Sequence, residues 1–394
     1  MYILLGKGFS HRAVKYGIGI FLILSTACKQ NHDKATHPDV AKTTPYDISY
    51  AQGFSIEKSA SGVSIVHLKS PWPNADTSFS YALVPREKLA TITLNKDAYD
   101  AIIPVPVKSI VATSTTHIPA LEALGVSDKL VGFPNTDFIS SKTTRQRIDK
   151  GLVAELGNNE TINSEIVLEL HPELFVGFGI NDENRAYKTI KKAKIPVVYN
   201  GDWIEESPLG KAEWIKFFAV FFGKEKEADS IFKNIALSYQ KVKNLAVRAK
   251  EKPSVLTGGL YKDVWHVAGG KSWMAEFIKD AKGDYLWSAS EKTGGIALSM
   301  ESVLDKAKTA DYWLNPSMLT SYEDMIAANR HYTQFEAYKK QHVYTNTLAK
   351  GPTGGLMFYE QAPQRPDLVL RDLVHIFHNE LLPDHRLIFF KPLK

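Results

Sequence analysis

The chain has 394 residues, 44% hydrophobic and 23% charged, with a formal net charge of +5 and a single cysteine. One cysteine excludes an internal disulfide. Lys7, Arg12 and Lys15 precede Cys28 with no acid among them, so the rest of the chain carries only +2, and nucleic acid is not an expected partner.

Residues 1–27 read as an export signal. A basic leader is followed by the apolar run Tyr16–Leu24 and the small residues Ser25-Thr26-Ala27. That run is shorter than the roughly 20 apolar residues a membrane-spanning helix needs. Leu24–Cys28 resembles a lipobox, with its leucine four rather than three places before the cysteine. Cys28 is therefore the expected lipidation site, and stable anchoring implies more than one acyl chain. Residues 28–46 are polar and read as a flexible tether. The expected location is outside the cytoplasm, lipid-anchored to a bacterial membrane and facing the periplasm or the outer surface.

Residues 47–106 have the texture of a small β-rich preface. Val63, Ile65 and His67 alternate with Ser64, Val66 and Leu68, and Pro71-Trp72-Pro73-Asn74 supplies a turn. From residue 107 to 207 the rhythm becomes strand, loop, helix. Apolar runs at Ile110–Ala112, Leu130–Phe133, Leu174–Val176 and Pro196–Tyr199 predict buried parallel strands. Helices are predicted near Ile118–Leu124, Ser164–Leu170 and Glu183–Ala193.

Residues 208–250 form a bridging segment. Pro208–Phe222 is dense in aromatics, and Ala228, Ile231, Phe232, Ile235, Tyr239 and Val242 then recur at gaps of three and four. A helix over Lys224–Lys250 would be about 40 Å long. Residues 251–394 begin a second α/β series, with strands at Ser254–Thr257, Tyr312–Leu314 and His342–Thr345. Helices are predicted near Ser272–Lys282, Ser299–Lys308, Tyr322–Ala328 and Pro366–Leu382. The expected fold is α/β: two Rossmann-like lobes joined by a long rigid helix, with the β-rich preface ahead of them.

Signatures of catalysis are largely missing. There is no HExxH, CxxC or G-x-S-x-G. Gly270-Lys271-Ser272 imitates the end of a phosphate loop, but Trp265 stands where its first glycine belongs. Gly177-Phe178-Gly179 lacks a third glycine, which Asp182 replaces. His117 has no second histidine at i+4, so Ser114-Thr115-Thr116-His117 reads as a helix start rather than a metal site. The expectation is a binding protein, with no catalytic residue, metal or cofactor of its own. Aromatic and glycine-rich loops stand out: Tyr261, Trp265, Trp273, Tyr285 and Trp287 in the second lobe, Trp203 and Phe178 in the first. Flat apolar side chains with polar tips suit a bulky amphipathic ligand, or simply a core.

In sequence the chain resembles the vitamin B12 and ferric-siderophore class of ABC-importer substrate-binding proteins, over roughly Val107 to Leu382. The resemblance rests on Pro106–Val111, Leu121–Gly125, Leu130–Gly132, Ile162–Ile166, His171–Leu174 and Ile195–Val198 in the first lobe. It continues in Val267–Ser272, Leu298–Glu301 and Arg365–Leu368. It implies a ligand held between two lobes and docking on permease subunits through an acid on each lobe. Glu165 and Glu301 occupy the matching positions; from physical chemistry alone they are ordinary N-terminal helix acids.

The ligand stays open: an iron complex (ferric siderophore or haem) or cobalamin. A haem would want an axial Tyr or His, for which Tyr261 and His117 are candidates. Expected cleft contacts are Trp203, Tyr261, Trp265 and Trp287, with Phe133, Phe178 and Asn135. Two other readings compete. One is a surface metalloenzyme or hydrolase using His117 with Asp137 or Glu205; the other is a surface binding module working without an ABC permease.

Overall fold

A computed structural model describes residues 42–73, 75–179 and 184–394. The segment read as an export signal and Cys28, the expected lipidation site, lie outside the described residues. Among the described residues no helix is long and apolar enough to cross a membrane.

The first sheet comprises Thr43–Pro45 (β1), Phe54–Ser59 (β2), Ser64–Lys69 (β3), Ser78–Pro85 (β4) and Ala101–Val105 (β5), in that order. Alternation along β3 and β4 sorts their side chains to two faces. Val63, Ile65 and Val84 form a small separate cluster. Ile56, Val66, Leu68, Tyr81, Leu83 and Ile103 instead enter the main core of the first lobe. The preface therefore shares that lobe's core.

The first lobe is built on Ile110–Ala112 (β6), Leu130–Phe133 (β7), Ala154–Glu155 (β8), Leu174–Phe178 (β9) and Val197–Asn200 (β10). All are parallel, in the order β10-β9-β6-β7-β8. The chain runs outward from β6 through β7 to β8, then returns to place β9 on the other side of β6. That reversal opens a crevice at the carboxyl ends of β6 and β9, where open α/β sheets bind ligands. Helices His117–Ala123 (α1), Lys142–Asp149 (α2), Ser164–Leu170 (α3) and Arg185–Lys192 (α4) complete the lobe.

Pro208–Glu213 (α5) and Ile215–Phe222 (α6) are buried along their whole length. Glu225–Ala246 (α7) follows. Its buried residues recur at gaps of four and three: Ala228, Phe232 and Ile235 belong to the first lobe's core, Tyr239, Val242 and Ala246 to the second's. One amphipathic stripe thus ties two cores together. The helix ends at Ala246, short of the expected Lys250, and is about 33 Å long. A tight turn follows, in which Lys282 Nζ donates to the carbonyls of Val247 and Ala249 just past the helix end.

In the second lobe the strands are Ser254–Thr257 (β11), Gly259–Tyr261 (β12), Val264–Ala268 (β13), Asp284–Tyr285 (β14), Gly295–Leu298 (β15), Tyr312–Leu314 (β16), Val343–Thr345 (β17) and Lys391–Pro392 (β18). The main sheet runs β14-β11-β16-β17-β18, parallel except at β18. A small antiparallel sheet, β12-β13-β15, was not expected from the sequence. Its strands are short and two begin with glycine, which hides them from pattern reading. Helices Trp273–Asp280 (α8), Met300–Ala307 (α9), Tyr322–Ala328 (α10), Glu336–Lys339 (α11), Met357–Gln361 (α12) and Pro366–Phe377 (α13) surround the sheets.

Candidate ligand-binding cleft

Two cavities lie at the carboxyl ends of the first lobe's strands, and the second lobe contributes a wall to each. The first, about 640 Å³, is lined by Thr113 and Ser114 after β6, Phe133 at the end of β7 and Asn135 beyond it, and Phe178 of β9. Met318, Lys350, Leu356 and Tyr359 face them from the second lobe. The second, about 660 Å³, lies beyond the end of β10 and is lined by Trp72, Trp203, Ile204 and Glu206, with Trp273, Met274 and Gly294 opposite.

The loops of the first cavity are fixed by hydrogen bonds from the sequence segments that form them. Thr113 Oγ1 accepts from the Phe178 amide at 2.7 Å, and Tyr187 donates its hydroxyl to the Phe178 carbonyl at 3.0 Å. Asn159 Nδ2 donates to the Thr113 carbonyl at 3.0 Å. Asn135 sits in the left-handed region, φ 52°, a conformation asparagine tolerates better than most residues. The Glu155 carboxylate accepts from the amides of Asn135, Thr136 and Gly157 at 2.8–2.9 Å. Burial opposes its charge, but bonds led by Thr136 outweigh it and hold the carboxyl below its ordinary range.

Across this cavity the lobes meet through side-chain-to-backbone hydrogen bonds and close-approaching glycines. Glu360 of α12 accepts from the Ser140 amide at 2.6 Å, and Thr353 Oγ1 donates to the Asp137 carbonyl at 2.8 Å. A Cβ at Gly351 would fall well inside 3.0 Å of the Ser140 backbone, and one at Gly355 inside 3.0 Å of the Phe138 carbonyl. Glu360 is fully enclosed, and its carboxyl is pushed up to about 7 by burial, partly offset by the Ser140 bond and helped by the neighbouring Glu122.

The structure sorts the expected contact residues. Phe133, Asn135 and Phe178 meet in the first cavity and Trp203 in the second. Trp265 is completely buried against Trp313, Tyr332 and Phe335, with its indole N–H donated to the Thr257 carbonyl. So enclosed a ring has no face for a ligand. Trp287 packs on Tyr285 under the Lys306 ammonium, and Tyr261 stands 67% exposed beside the tight β12–β13 turn; neither lines a cleft cavity.

His117 begins α1, as its helix-start reading expected, but is fully buried beside Phe218, and burial pushes its pKa down to about 4. Asp137 is exposed, and Glu205 is occupied with the amides of Gln52 and Gly53 and the Trp214 indole. Among the described residues no group of three or more His, Cys, Asp or Glu is placed to hold a metal ion. A metal centre at His117 with those partners thus has no geometric support. Glu165 and Glu301 stand exposed in the first turns of α3 and α9.

Several cleft residues escaped the sequence reading, among them four large apolar side chains. Trp72, set between prolines, read only as part of a turn; Trp273 stood among the second lobe's aromatics without being chosen. Met318 and Tyr359 carried no signal, because only the tertiary fold brings their loops across the cleft.

Residues 110–347 match the periplasmic binding protein family. An uncharacterised lipoprotein of Methanocaldococcus jannaschii is 26% identical over 298 residues, 73% of this chain and 69% of its own. The fold is similar to that of a possible iron-binding (periplasmic solute-binding) protein from Staphylococcus epidermidis, with TM-score 0.55 at 17% identity, covering 69% of this chain and 99% of that one. It is also similar to a periplasmic heme-binding protein from Roseiflexus, with TM-score 0.53 at 19% identity, covering 68% and 99%. With more than half its length matched to that family and the same two-lobed α/β fold, the chain belongs to the periplasmic binding proteins.

Proposed function

We propose that this protein captures a bulky iron complex or cobalamin between its lobes and delivers it to the permease subunits of an ABC importer. The observation that carries this reading is the pair of aromatic cavities at the carboxyl ends of the parallel strands, each walled by both lobes. Volumes of about 640 and 660 Å³ fall in the range of sites for drug-sized and larger ligands. Rigid capture fits a cleft whose lobes share α7 and meet through Glu360, Thr353 and close glycines. The heme-binding and iron-binding names of proteins with the same fold agree with a metal-chelate cargo.

In this reading Glu165 and Glu301 dock the permease, one from each lobe, and Cys28 carries the lipid that keeps the protein at the membrane. The lipoprotein name of the Methanocaldococcus relative supports that anchor. The test is binding of cyanocobalamin, haem and ferric siderophores to the purified protein, followed by tryptophan quenching and calorimetry. At least one should bind with Kd below about 10 μM. Failure of all of them at that concentration removes the capture reading.

A further inference from the structure

The family match begins at residue 110, so the β1–β5 sheet stands ahead of it. That sheet nonetheless reaches the cleft. The connection from β3 to β4 lays Trp72 on the carboxyl ends of β9 and β10, edge-on to Tyr199 at 5.2 Å and 6.0 Å from Phe79. The seat is tight: a Cβ at Gly179 would lie 3.0 Å from the Trp72 ring, and one at Gly201 3.3 Å from the Pro71 Cα. Tyr81 fixes the sheet to the same place, its hydroxyl accepting from the Tyr199 amide at 3.2 Å. Trp72 is only 7% exposed, and it lines the second cavity with Trp203 and Trp273.

The charged side chains that line that cavity are both acidic. Glu205 and Glu206 line it, and its lining includes no lysine or arginine, although Lys271 stands near Glu206. Lys211 lies 5.2 Å from the Trp273 ring but donates its ammonium to the carbonyls of Asp202 and Trp203. Indole faces carry negative electrostatic potential, so three tryptophans beside carboxylates attract apolar or cationic groups and disfavour anions.

We propose that Trp72 is a specificity-determining residue, by which the preface sheet supplies one wall of the ligand site and selects a neutral or cationic chelate over a multiply anionic one. This rests on the capture reading and deepens it. The preface is then part of the binding machinery, and removing it would leave the far end of the cleft open.

The experiment compares wild type, Trp72→Ala and Trp72→Phe in binding cyanocobalamin, the cationic ferrioxamine B and the trianionic ferric enterobactin. Wild type is expected to bind cyanocobalamin or ferrioxamine B at least tenfold more tightly than ferric enterobactin. Trp72→Ala should weaken the preferred ligand about tenfold or more and narrow that ratio, whereas Trp72→Phe should stay within about threefold. Equal binding by a folded Trp72→Ala, or a wild-type preference for ferric enterobactin, overturns the inference while leaving capture intact. A wild type that binds none of the three, nor haem, removes the capture reading and this inference with it. Should Trp72→Ala fail to fold, protein labelled with 5-fluorotryptophan answers the same question. Its Trp72 ¹⁹F resonance, assigned through Trp72→Phe, should shift on ligand addition, and an unmoved resonance overturns the inference.

Discussion

The rings of Phe178 and Trp203 lie 5.5 Å apart at an interplanar angle of 58°, yet Phe178 lines one cleft cavity and Trp203 the other. This pair is the partition between the two halves of the cleft. A large ligand reaching both cavities would pass over it, so its replacement should reveal whether the halves act together.

Trp203→Ala should weaken ligand binding by about 10- to 100-fold, through lost aromatic contact and a partition left without support. Thermal stability should change little, because Trp203 is only half-buried. Calorimetric titration beside a thermal melt checks this. An unchanged affinity in the folded variant would place the ligand wholly in one cavity.

The long helix and the parallel strands were legible because burial imposes a period. Ala228, Phe232, Ile235, Tyr239 and Val242 follow the helical repeat closely enough to reveal both the helix and its buried face. Ile110–Ala112 and Leu130–Phe133 are continuous apolar runs, as strands covered on both faces must be. The cleft was harder, because an aromatic ring in the core and one in a binding wall are the same residue in sequence. Trp265 and Trp203 were indistinguishable as letters; the first closes a cluster with Trp313, and the second borders a cavity. Trp72 was hidden for another reason: Gly179 and Gly201, whose missing side chains make room for its loop, lie more than 100 residues away.

The lobe contact should tolerate no added atom at Gly355. A Cβ there would meet the Phe138 backbone carbonyl, which cannot swing aside as a flexible side chain can. Gly355→Ala is expected to destabilise by about 1–3 kcal/mol and to weaken ligand binding by separating Lys350–Tyr359 from the first lobe. Gly294→Ala is the control, since its Cβ meets nothing within 4 Å. Chemical unfolding of both variants is the measurement, and equal stabilities would show that the contact yields freely.

Glu165 and Glu301 are exposed, and replacing them touches neither cavity. The double variant Glu165→Ala/Glu301→Ala should bind ligand as wild type does, while uptake by cells that depend on this protein falls at least about tenfold. Uptake that persists at the wild-type rate would favour a binding module that works without a permease.

Glu360 makes the lobe contact depend on pH, and the sign follows from its environment. Burial raises its carboxyl from 4.5 to about 7 in the folded protein, so the folded state holds a proton that the unfolded chain has released between those values. The stability this contributes is fully present below pH 4.5 and declines as pH rises through 7. Glu360→Gln keeps a carbonyl oxygen for the Ser140 amide but cannot ionise. The variant should match wild type near pH 4.5 and exceed it by about 1–3 kcal/mol above pH 8, since each tenfold change in proton affinity is worth roughly 1.4 kcal/mol. Urea unfolding of both proteins from pH 4.5 to 9 tests this. A stability difference that does not change with pH would mean that Glu360 ionises without cost where the lobes meet.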